Sequence, residues 1–128
     1  MRLNPDCVRD VLLAVEEKEY AAIYTLESLK QHLPQYSMED LHYTCLQLED
    51  GGFLNLETSQ RARMRYLWID SIEDLTFMGH EFLDTIRQPS IWEDAKARTK
   101  KIGIMTIKSL WNIAASIAED SIKSLFEH

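Results

Sequence analysis

The chain has 128 residues and a mass of 15.0 kDa, the size of one ordinary domain. Apolar residues make up 45% and charged residues 27%, fractions that exclude wholesale disorder. Twenty-one acidic residues against fourteen basic ones leave a net charge of −7, which counts against non-specific coating of nucleic acid.

The charge is segregated. Residues 1–60 sum to −7 and residues 61–94 to −3, whereas residues 95–128 sum to +3. An acidic body with a basic C-terminal segment is suited to head-to-tail or partner contacts, although a charge run is also the ordinary make-up of a solvated helix face. Cys7 and Cys45 form no CxxC pair and fall on apolar stripes, where cysteine acts as a small hydrophobe. Met1-Arg2 leads into Asn4-Pro5-Asp6 and not into an apolar run, and the uncharged stretch 109–118 is too short for a bilayer. The expectation is a reduced, cytoplasmic protein without a membrane partner.

Asn4-Pro5-Asp6 is a helix start, with an Asn cap, a proline at the first helical position and an early acid. Val8, Val11, Leu12 and Val15 then repeat at helical spacing. Thr25 caps a second, short helix with Leu26, Leu29 and Leu33 inward, stopped by Pro34. Ser37 opens a third helix whose stripe is Met38, Leu41, Cys45 and Leu48, with Gly51-Gly52 as its exit.

Two alternating runs, residues 53–58 and 64–69, flank the polar tip 59–63 and predict a β-hairpin. Leu54 and Leu56 would share a face with Leu67 and Ile69, leaving Met64, Tyr66 and Trp68 on an apolar second face that something must cover. Thr76 caps a helix with Phe77, Phe82, Leu83 and Ile86, ending before Pro89. Ser90 is expected to cap the next helix, which Gly103 breaks. A last helix is expected over about 104–126.

Three short helices and a hairpin with a basic tip follow the order of a winged helix-turn-helix. The fold class expected is therefore α+β, mostly helical. Residues 1–88 would form the winged-helix-like domain and residues 89–128 a helical extension packed on it or on a second subunit. A resemblance accompanies this order. Arg2-Leu3-Asn4-Pro5-Asp6, Val8-Arg9-Asp10 and Leu12-Leu13 look like the opening of a bacterial and prophage family catalogued as a domain of unknown function. Leu75-Thr76, Gly79-His80-Glu81-Phe82-Leu83-Asp84, Ile86-Arg87, Trp92 and the Lys100-Lys101-Ile102-Gly103 junction resemble it too. The resemblance covers most of residues 1–103. It implies a winged-helix-like fold and a phage or mobile-element setting, with no catalytic residues attached.

In that frame the third helix occupies the recognition position. Glu39, Asp40, Tyr43 and Gln47 would face outward, and no Lys or Arg lies between Met38 and Asp50. Gln reads adenine and acids accept from cytosine, but four acids near phosphate oppose the main source of DNA affinity. Arg61, Arg63 and Arg65 would supply the wing with positive charge for phosphate or minor groove, or pair with the chain's own acids. Gly79-His80-Glu81 lacks the second histidine of the zinc-peptidase pattern, so close packing at Gly79 explains it better. No metal, cofactor or catalytic residue is expected, and no enzyme.

The last helix carries Ile107, Trp111, Ala114, Ala118 and Leu125 near a 3.5-residue spacing, with Leu110 widening the stripe. Packing on the hairpin, pairing with a second copy and lying on a membrane compete for that stripe, and a homodimer is the expectation. Two roles stand for the whole chain. One is a small phage-associated DNA-binding or regulatory protein. The other is an acidic protein–protein adaptor or inhibitor that keeps the fold without binding DNA.

Overall fold

A computed structural model describes residues 1–126. The order is α1 (Pro5–Glu16), α2 (Leu26–His32), α3 (Met38–Asp50), β1 (Leu54–Ser59), β2 (Trp68–Leu75), α4 (Phe77–Ile86), α5 (Pro89–Ile102) and α6 (Ile107–Phe126). The class is α+β and mostly helical, as expected. The order helix, helix, helix, hairpin is compatible with a winged helix.

Local chemistry sets the first three helix starts. The Asn4 side chain accepts from the Asp6 and Cys7 N–H groups, Thr25 caps α2 through Ser28 N–H, and Ser37 caps α3 through Asp40 N–H. Cys7, Val8, Val11, Leu12 and Val15 of α1 meet Leu29 of α2 and Leu41, Cys45 and Leu48 of α3 in the core of the first unit. Met38 departs from the expected stripe and stays 37% exposed, while Thr44 is buried and donates to the Cys7 Sγ.

The hairpin corrects the expected register. β2 begins at Trp68 and not at Met64, so the connecting tip is 60–67 and longer than the expected 59–63. Leu54 pairs with Leu75, Leu56 with Ile72 and Thr58 with Ile69. The pairing steps from Leu54 to Leu56 opposite Leu75 to Ile72, and again from Glu57 to Thr58 opposite Ser71 to Ile69. Each step places one extra residue on β2, as a bulge does. Ile69, Ile72 and Leu75 are therefore all buried at a spacing of three, which an alternation rule does not recognise. A single bridge from Tyr24 adds a rung, with Ile72 N–H donating to the Tyr24 carbonyl at 2.7 Å.

The chain divides into two compact units between His80 and Glu81, inside α4 and ahead of the expected boundary at 88. In the first unit Thr76 caps α4 through Gly79 N–H and donates its own hydroxyl to the Gly52 carbonyl. A Cβ at Gly79 would stand 2.0 Å from the Phe53 carbonyl oxygen, so only glycine allows this approach.

The second unit packs α5 on α6 around Trp92, Ala95, Leu110 and Ala114, with Phe82 and Trp111 rings 5.4 Å apart. Two helix starts differ from expectation. Pro89 takes the first position of α5, which makes Gln88 and not Ser90 the cap residue. α6 begins at Ile107 because Thr106 and Ser109 bond each other's backbone N–H reciprocally. No helix among the described residues is long and apolar enough to cross a membrane.

Candidate interaction surface

Glu39 and Asp40 occupy the first turn of α3, where carboxylates complement the exposed N–H groups and the positive end of the helix dipole. Glu39 is exposed, whereas Asp40, Tyr43 and Gln47 are half-buried. Their common helix carries no cation among its outward residues.

The three arginines of the hairpin do not form one uniform tip. The Arg61 guanidinium lies 4.3 Å from the Trp68 ring centroid and 3.7 Å from Asp70, so its charge is engaged on its own hairpin. Arg63 is exposed and adopts φ +69°, a left-handed conformation that costs a non-glycine residue about 1–2 kcal/mol. The Met64 N–H closes that turn onto the Arg61 carbonyl at 3.2 Å. Arg65 is exposed.

Beyond the turn the loop folds back onto α3. His42 Nε2 bonds the Leu67 carbonyl at 2.9 Å, and the His42 ring meets Tyr66 edge-on with centroids 4.7 Å apart. His42 and Arg61 thus each contact one of the aromatic residues Tyr66 and Trp68, and Tyr66 stays 49% exposed. Between helix and loop lies a groove of about 150 Å³, lined by Leu26, Met38, Glu39, His42, Tyr66, Trp68 and Ile69. Its wall is apolar apart from Glu39 and His42. Of the expected interface residues, the loop brings Glu39 to the groove and leaves Asp40, Tyr43, Gln47, Arg61, Arg63 and Arg65 outside its lining.

The sequence alone does not single out His42. Its signal was modest: it stands one turn after Met38, beside a hairpin with too many apolar residues. Among the described residues no group of His, Cys, Asp and Glu could hold a metal ion.

The α6 stripe packs largely within its own unit. Leu110 and Ala114 are only 2% and 0% exposed, buried within the second unit, and Ile107, Trp111 and Ala118 are half-buried. The periodicity is real, but α5 and Phe82 already meet it. Exposed apolar side chains lie instead at Ile122, Leu125 and Phe126, and at Ile102, Ile104 and Met105 before the helix.

Fold and groove together define a small α+β module with a helix–loop recess. The profile of the family described as "Hypothetical protein (DUF2513)", a domain of unknown function, matches residues 2–105, and the chain belongs to that family. The match runs from the α1 cap through α5 to Met105 and stops before α6. No curated protein and no solved structure matches the chain.

Proposed function

We propose that the first unit is a winged-helix-like module that binds protein and not DNA, in a chain without catalytic activity. One observation carries this: the helix in the recognition position presents Glu39 and Asp40 without a cation, beside an apolar groove closed by the hairpin loop. Duplex affinity comes mainly from neutralising phosphates, and carboxylates at that position oppose it. A partner with apolar and basic groups gains from both features of the surface, since charge complementarity selects and speeds encounter. The buried, unpaired Cys7 and Cys45 suit a reducing cytoplasmic setting.

A second role is favoured by the exposed Arg63 and Arg65. A wing touching phosphates would make the protein a DNA-binding regulator, in keeping with the phage setting that the family resemblance implies. The variant Glu39→Gln/Asp40→Asn separates the two. Protein binding predicts weaker capture of nuclease-resistant partners, with duplex affinity weak both before and after the change. A gain in duplex affinity with partner capture unaffected would overturn the proposal.

A further inference from the structure

The groove is small for a metabolite site. Small-molecule sites run to roughly 300–1,000 Å³, whereas this groove is open to solvent and holds about 150 Å³, space for one benzene-sized group. One aliphatic side chain is the natural occupant, with Glu39 at the rim favouring a neighbouring cation. The unit that holds the groove, residues 1–80, has fourteen acidic and seven basic side chains. Two such units repel one another, so a like-on-like contact between them is disfavoured.

The same chain carries the complement. Residues 95–118 contain five cations and no acid. Two of these are engaged, Lys96 with Glu93 and Arg98 with Asp94. Lys100, Lys101 and Lys108 have no ion-pair partner among the described residues and flank the turn between α5 and α6. That turn exposes Ile102 at 63%, Ile104 at 54% and Met105 at 40%.

The turn is also fixed in shape. Gly103 adopts φ +89°, and the Gly103 and Ile104 N–H groups both donate to the Thr99 carbonyl, at 2.9 and 3.2 Å. The Thr99 hydroxyl contacts the Met105 sulfur at 3.3 Å. A preformed turn loses little conformational freedom on docking.

We propose that the groove of one copy receives the α5–α6 turn of a second copy. Ile104 enters the groove, and Lys100 and Lys101 meet Glu39 at its rim, with the half-buried Asp40 adding negative charge one residue further on. In the dimer each chain supplies one groove and one turn. This rests on the protein-binding role proposed above and names a second copy of the chain as the partner.

The test is the mass of the full chain by sedimentation equilibrium at micromolar concentration. The wild type is expected to dimerise, less so as salt rises. Glu39→Lys/Asp40→Lys and Lys100→Glu/Lys101→Glu should each weaken the dimer about a hundredfold, because like charges then face each other. An equimolar mixture of the two variants should regain the dimer, since both of its reciprocal contacts are again attractive. Ile104→Asp, at an exposed position that leaves the fold intact, should also give monomer.

A monomeric wild type, or a mixture of variants that stays monomeric, would overturn the proposal. In that event, Glu39-dependent capture of another protein would still uphold the protein-binding role. If Lys100→Glu/Lys101→Glu abolishes binding to phosphatidylserine vesicles while the dimer persists unchanged, the turn is a lipid contact and the proposal fails.

Discussion

Replacing Gly79 by alanine tests the packing that joins α4 to the hairpin. In an exposed helix, Gly→Ala stabilises by about 1 kcal/mol through helix propensity alone. Here the added methyl would lie 2.0 Å from the Phe53 oxygen, 3.0 Å from its carbonyl carbon and 3.3 Å from the Leu75 Cβ. The obstacle is backbone, so the helix start must move away from β1. Overpacking of this kind costs about 1–3 kcal/mol. Displacement also weakens the Thr76 N–H bond to the same Phe53 oxygen, now 3.1 Å, for about another 1 kcal/mol. Set against the propensity gain, Gly79→Ala should destabilise by about 1–3 kcal/mol. For a unit of this size that lowers the melting temperature by about 4–8 °C per kcal/mol. Thermal and urea melts followed by far-ultraviolet circular dichroism give the number. A variant as stable as the parent, or more so, would refute the close approach of Gly79 to Phe53.

Native labelling of Cys7 and Cys45 should be slow at pH 8, because both are fully buried and burial pushes both thiols above their ordinary range. Unfolding should release both, and fast labelling of either in the folded protein would contradict the core assignment. Tyr36 donates its hydroxyl to Asp10, and burial followed by that bond raises its pKa. Burial raises Tyr24 as well. These groups favour the neutral form when folded, so their contribution is intact below the unfolded values, near 8.5 for thiols and 10 for tyrosine, and is lost as pH rises through the folded ones. The urea midpoint should therefore decline from about pH 8.5 upward. Tyr36→Phe should flatten the part above about pH 10 and cost about 1–2 kcal/mol at neutral pH. A midpoint that does not fall between pH 8 and 10.5 would exclude this linkage.

What was legible in the sequence is what short-range chemistry decides. Asn4, Thr25, Ser37 and Thr76 start helices because a side chain and a backbone N–H three positions or fewer away suffice. Ser90 misled because proline at the next-to-cap position outweighed a serine's capping preference one residue later. The hairpin was half legible. β1 alternates, but the bulges of β2 are created by pairing, so the strand showed its inward residues at a spacing that no single-strand pattern predicts.

The candidate site was legible only in part for the same reason. Glu39 and Asp40 declare themselves as an acidic helix start, and the excess of aromatic residues at 64–68 announces a missing cover. That His42 meets Tyr66 edge-on, and that a groove remains beside it, depends on a loop returning to a helix some 25 residues away in sequence. The α6 stripe shows the converse. Its period was correct, yet periodicity states that a face is buried and not which surface buries it.

Binding of random-sequence labelled duplex DNA as a function of salt tests the central claim most directly, read by fluorescence anisotropy. A protein-binding module with an acidic third helix predicts no saturable binding at micromolar protein in moderate salt. Tight binding that falls steeply with salt, and loses about one unit of slope with each of Arg63→Gly and Arg65→Ala, would contradict it and establish the wing as a phosphate contact.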